Sequence, residues 1–202
     1  MIDEGYIKFS CDWTAGPPPP EELIVELEAS RRNLFKHGLI GHDRDADVDY
    51  GNISVRGRAP DEIIITGTQT GHLPTLSAEH FVTVTACDIE ANRVRCEGAI
   101  KASSETLTHA AIYRQSGDIN AVLHVHHQAL WEYLYGRLPT TVPAAAYGTP
   151  AIAREFERLY READLGVQKI AVMGGHPAGL ISFGDTPADA EQRLFKHLHS
   201  ST

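Results

Sequence analysis

The sequence predicts an α/β fold in which helices cover a mixed β-sheet, and three observations predict it. The chain has 202 residues, a little over one ordinary domain, and 42% of them are hydrophobic, enough to enclose a sizeable core. Short runs rich in β-branched residues interleave with stretches of helical spacing. Several of those runs follow one another with no helix between them, which a strictly parallel sheet does not permit.

Pro17 to Pro20 favour an extended, stiff lead-in, so residues 1–20 read as an arm and 21–202 as one domain. Leu23, Leu27 and Leu34 share a helical face behind an acidic first turn, giving a helix from Glu21 to about His37, with Gly38 and Gly41 as stops. GHDRDADVDYG, Gly41 to Gly51, reads as a polar loop. NISVR (52–56), EIIIT (62–66) and FVTVTAC (81–87) read as strands. Ser103 or Ser104 caps a helix running to about Ser116, with Glu105 in its first turn. AVLHVH (121–126) is a strand, and Pro150 starts a helix to about Leu165. KIAVM and GLISF are strands, and Asp185, Thr186 and Pro187 open a last helix towards His199.

Composition excludes several classes of function. Eighteen Lys and Arg against 27 Asp and Glu leave a formal charge of −9, which repels a phosphate backbone and argues against nucleic-acid partners. Any anionic ligand needs local donors. Cys11, Cys87 and Cys96 form neither a disulfide framework nor a cysteine metal site, and no run approaches the roughly eighteen apolar residues of a membrane span. The expectation is a soluble protein of the cytoplasm with no membrane partner.

Eleven histidines invite a search for ligand spacing. In a strand His124 and His126 point to one face about 6.6 Å apart, so both imidazoles can converge on one metal, while His127 faces away. Candidates for a third ligand are His72, His80, His109, His176, His197 and His199. His176, in MGGHPAGLISF, is the best placed, at the end of an apolar strand where a side chain can project into a shared cleft. His197 and His199 suit the dipole at a helix C-terminus better. Ser103, Ser104 and the helix start after them offer hydroxyls and backbone N–H groups to an anion, and Glu105 beside them becomes a base if the metal is near. Gly51-Asn52, Thr66-Gly67 and Thr70-Gly71 read equally as turns or as small anion cradles.

The order GNISVR, ITGTQTG, KASSETLTHAAIY, AVLHVHH, GGHPAGLISFGDTPADA resembles the class II aldolase and adducin head family, from about Glu21 to Leu198. Fuculose-1-phosphate aldolase is a member. The resemblance implies a three-layer α/β/α sandwich, a zinc ion (one per chain), and a homotetramer with active sites at subunit interfaces. It places the metal ligands at His124, His126 and His176, the catalytic glutamate at Glu105, and phosphate-binding positions at Asn52, Ser103 and Ser104. Thr70-Gly71 fits the family's Thr-Gly pair best by its distance to Leu76, with Thr66-Gly67 as the alternative. VPAAAY puts Tyr147 where the aldolases carry a tyrosine that reaches a neighbouring subunit's site. The chain departs from the family at Pro177 and Ala178, which separate His176 from Gly179, and in ending at KHLHSST without a C-terminal tyrosine.

The function these residues imply is zinc-dependent, reversible retro-aldol cleavage of a small sugar phosphate through an enediolate. An epimerase or dehydratase of the same family is the near alternative, and a non-catalytic assembly module like the adducin head is the non-enzyme one. HxH followed by Glu132 is faintly similar to the iron site of a cupin-like oxygenase, which the interleaved helices oppose.

Overall fold

In the computed structural model, which describes residues 6–199, alternation within each strand supplies two cores rather than one. The strands are β1 (Ser10–Thr14), β2 (Gly41–Asp43), β3 (Val48–Tyr50), β4 (Asn52–Arg56), β5 (Ile63–Thr66), β6 (Phe81–Asp88), β7 (Arg93–Glu97), β8 (Ala121–His126), β9 (Ile170–Val172) and β10 (Gly179–Gly184). The helices are α1 (Glu21–Lys36), α2 (Thr106–Tyr113), α3 (Gln128–Leu134), α4 (Pro150–Glu162), α5 (Leu165–Gln168) and α6 (Pro187–Leu198). Eight strands form one sheet in the order β1-β7-β6-β5-β4-β8-β10-β9. Its pairs are antiparallel except β1 with β7, so the sheet is mixed, as expected.

Ile63 and Ile65 face a core shared with Leu107, Ile112, Ile152 and Phe156, while Ile64 between them faces Leu27, Leu34, Leu130 and Leu194. Helices α2, α4 and α5 therefore cover one face and α1, α3 and α6 the other, which is a three-layer α/β/α arrangement. A fully buried Leu or Ile contributes about 1.5–3 kcal/mol, so both faces carry weight. β8 lies inside the sheet between β4 and β10, and its C-terminal half carries the histidine pair.

The structure departs from the sequence reading in several places. Gly41 to Gly51 is not a loop throughout: β2 and β3 pair as a two-stranded sheet, with Gly41 opposite Tyr50 and His42 opposite Asp49. The turn is built by Asp43, whose Oδ1 accepts the N–H groups of Asp45 and Ala46, and by Asp47 at φ +52°. Within the arm, Ser10–Thr14 forms an edge strand on β7, itself an element the composition of RVRCE did not single out. Helix α3 was likewise unforeseen, and it is started by His127, whose Nδ1 accepts the N–H of Leu130 at 3.0 Å. Glu105 occupies the N-cap position of α2 rather than its first turn, and its side chain makes no capping bond.

Candidate metal centre and adjoining recess

His124 is fully buried in β8, opposite Asn52 on β4 and Ile181 on β10. His126, two residues on, shares its face, and the Nε2 atoms of the two rings are 3.1 Å apart. His176 comes from the turn between β9 and β10 and brings its Nε2 to 3.0 Å from that of His126. Burial first, then the neighbouring His126 and His176, holds the His124 pKa well below 6.5, so the ring is neutral. Its Nδ1 faces the Leu180 carbonyl at 3.2 Å, which fixes the proton there and leaves a lone pair on Nε2. Three imidazole nitrogens aimed at one point repel one another unless something positive lies between them. That donor set fits a divalent cation.

The turn that delivers His176 absorbs the departure at Pro177 and Ala178 through local geometry. Ala178 takes φ +66°, a left-handed conformation that glycine adopts more readily. The Gly179 N–H returns to the His176 carbonyl at 2.9 Å, and a Cβ at Gly179 would lie 2.5 Å from His176 Cδ2. Glycine at 179 is thus what allows the ring to fold back over its own turn. Glu105, also fully buried, places Oε1 3.9 Å from His124 Nε2 and 3.8 Å from His176 Nε2. The Glu105 side chain makes no capping bond to α2, its own N–H is taken by the Ser103 hydroxyl at 3.3 Å, and its carboxyl lies against the cluster.

Beside the cluster is a small recess lined by Asn52, Thr70, Gly71, Ser103 and Ser104, with Asp49 and Gln69. Asn52 Oδ1 is buried there and has no hydrogen-bond partner among the described residues, an unmet acceptor that a hydroxyl or N–H of a ligand would satisfy. Of the two Thr-Gly candidates, Thr70 and Gly71 line the recess and so does Gly67; the Thr66 hydroxyl accepts the Ile53 N–H at 3.2 Å, and the Thr70 hydroxyl donates to the Gly67 carbonyl at 2.9 Å. Arg31 underpins this loop. It is buried on α1 and donates to the carbonyls of Thr70, at 2.9 Å, Gly71, at 3.1 Å, and Leu73. Sequence reasoning missed it, although a charged residue between Leu27 and Leu34 on a buried helical stripe was a visible signal.

Tyr147 is buried with its ring 4.8 Å from that of His176, so it lies beside the cluster of its own chain. Its hydroxyl accepts the Tyr6 N–H at 3.2 Å, and Lys8 Nζ sits 3.7 Å above its ring. The arm therefore reaches the site. Tyr50, from the unforeseen hairpin, stacks on His126 at 5.3 Å and forms another wall.

The remaining histidine candidates lie elsewhere. His109 Nδ1 is 2.7 Å from Ser54 Oγ, which also meets the Tyr113 hydroxyl at 2.8 Å, and burial pushes the His109 pKa down to about 3. His72 bonds Asp49, and His80 bonds Ser77. His197 and His199 stay at the end of α6. Glu132 is exposed and bonds Gln128, which removes the carboxylate that the oxygenase reading required.

Residues 39–198 match the model of the family described as Class II Aldolase and Adducin N-terminal domain. The chain belongs to that family. Solved structures of similar fold include L-fuculose-1-phosphate aldolase from Thermus thermophilus, 20% identical, with TM-score 0.64 over 90% of this chain and 92% of that one. A sugar-phosphate aldolase from Thermotoga maritima is 16% identical, with TM-score 0.67 over 89% and 92%. YgbL from Escherichia coli, a candidate aldolase/epimerase/decarboxylase, is 19% identical, with TM-score 0.65 over 89% and 86%. These class II aldolase folds agree with the three layers described above. Among the described residues no helix is long and apolar enough to cross a membrane.

Proposed function

We propose that this class II aldolase family member cleaves a small sugar phosphate reversibly by a retro-aldol reaction. The observation that carries the reading is the meeting of three imidazole nitrogens, a buried carboxyl and an unmet Asn52 oxygen in one place. His124, His126 and His176 would hold one divalent cation, zinc in our reading. When bound it supplies Lewis acidity that draws electron density from the carbonyl and adjacent hydroxyl oxygens of a ketose.

The protein's own groups do the rest. Glu105 takes the proton from, or returns it to, the carbon of the nucleophilic half; a buried carboxyl next to the reacting carbon suits proton transfer in either direction. Tyr147 handles the proton on the oxygen of the aldehyde half, turning its hydroxyl from the Tyr6 main chain towards the substrate. The Asn52 side-chain N–H and the Ser103 and Ser104 hydroxyls, with Thr70 and Gly71, fix the phosphate so that the bond to be broken lies over the cluster, while Asn52 Oδ1 accepts from a substrate hydroxyl. Tyr50 and Tyr147 flank the histidines and keep water from the reacting carbons. We further propose that residues 21–202 form the catalytic domain, that the arm through Pro20 completes the site through Tyr6 and Lys8, and that the chain works as a cytoplasmic homotetramer with sites near the interfaces.

A panel of ketose 1-phosphates assayed for aldehyde release tests the reading. Release of an aldehyde supports the aldolase, and epimer or dehydration product alone assigns the site to those relatives. Glu105→Gln should keep its metal and lose about 10²-fold or more in turnover. Full activity in that variant removes Glu105 from the mechanism.

A further inference from the structure

The β2–β3 hairpin brings a carboxylate to a place intended for an anion. It packs so closely on the Thr70–Gly71 turn that a Cβ at Gly71 would lie 2.4 Å from the Gly41 carbonyl oxygen and 2.9 Å from Asp49 Cβ. Asp49 thereby lines the same recess as Asn52, Thr70, Ser103 and Ser104. Both of its carboxylate oxygens are engaged: Oδ1 accepts from His42 Nδ1 and Oδ2 from His72 Nδ1, each at 2.8 Å. Burial alone would raise the Asp49 pKa, but the bonds from His72 and His42 outweigh it and lower the value, so the group is ionised at neutral pH.

The other edges of the two rings open on a cleft of about 670 Å³, which also includes Tyr6, Asp47, Val48 and Gln69 and shares Asp49 and Gln69 with the recess. Among the described residues lining the recess and the cleft, His42 and His72 are the only basic side chains. A dianion beside an ionised carboxylate is repelled, and no lysine or arginine on these walls offsets that repulsion. An imidazole that gains a proton here becomes a cation whose Nδ1 proton is already held by Asp49.

We propose that the His42–Asp49–His72 cluster is a proton-linked counter-ion for an anion in the neighbouring recess, so that the chain takes up a proton when it binds the anionic end of its substrate. This rests on the placement of the anion in the recess made above. The imidazolium is favoured at low pH and the bound anion favours it further, so affinity is high near pH 6 and falls as pH rises. The other charges facing the cluster are Asp47, whose Oδ1 is 3.6 Å from His42 Nε2, and Arg31 of α1 beneath the Thr70–Gly71 turn, with Glu28 beside it. They form a background common to every variant below.

Titration calorimetry of the full chain, incubated with zinc, tests this with sulfate, which stays dianionic from pH 6 to 8.5. Two buffers of different ionisation heat count the protons. The wild type should take up about one proton per sulfate at pH 7.5 and lose affinity by roughly tenfold per pH unit above pH 7. His42→Gln combined with His72→Gln should abolish the uptake and flatten that slope. Asp49→Asn should bind sulfate more tightly than wild type at pH 8.5, a gain that a folding defect does not produce. Binding that is independent of pH in the wild type, or an unchanged proton count in the double histidine variant, overturns the proposal. If sulfate then still depends on Ser103 and Ser104, tested as alanines, the recess keeps its role and only the counter-ion fails. No sulfate binding at pH 6 removes both.

Discussion

His124 and His126 were legible because a strand repeats every two residues, so the tripeptide itself dictates that both rings face one way. His176 was harder, since a turn sets no periodicity, and its position depends on Ala178 at φ +66° and on the missing side chain at Gly179. Arg31 and Asp49 were not found at all: the partners of Arg31 are main-chain carbonyls about forty residues on, and those of Asp49 are exposed rings brought to it by the unforeseen hairpin and by the Thr70–Gly71 turn. His109 supports a prediction at this scale. Its pKa of about 3 in the folded chain lies below the ordinary value near 6.5, so the unfolded chain binds the extra proton first. Its stabilising contribution is complete above about pH 6.5 and falls as the pH drops towards 3. Urea unfolding at pH 7 and pH 5 should show about 2 kcal/mol of lost stability from this residue. His109→Gln should lose that part of the slope even if it is less stable at both pH values; an unchanged slope would sink the assignment.

At the level of elements, the strands and helices whose apolar residues recur with a clear period were readable, and β4, β5, β6, β8 and the helices α1, α4 and α6 lie close to their expected bounds. The hairpin β2–β3 was not, because its residues are chiefly charged and its pairing is held by Asp43 and by docking on the Thr70–Gly71 turn rather than by an apolar face. That docking can be measured. Gly71→Ala puts a methyl group 2.4 Å from the Gly41 carbonyl oxygen, and backbone on both sides has little room to yield. The variant should lose about 1–3 kcal/mol in urea unfolding and bind sulfate more weakly. Wild-type values for both would mean that the hairpin is not seated as described.

For the molecule as a whole, the mixed sheet and its two faces of helices followed from composition and interleaving, and the family from the order of short motifs. The two-core organisation explains why the site lies where it does: β8 is central, its neighbours β4 and β10 supply Asn52 and the His176 turn, and α2 ends its cap at Glu105. A cation that binds only the folded chain adds stability by mass action, so chelation should lower the melting temperature and zinc should restore it. His124→Ala should abolish that response. The most direct test of the metal centre is the metal content of the purified, reconstituted protein, measured beside His124→Ala and His176→Ala. The account predicts about one zinc per chain in the wild type and a loss of it in both variants. No bound divalent metal in the wild type, or undiminished metal in both folded variants, would contradict it.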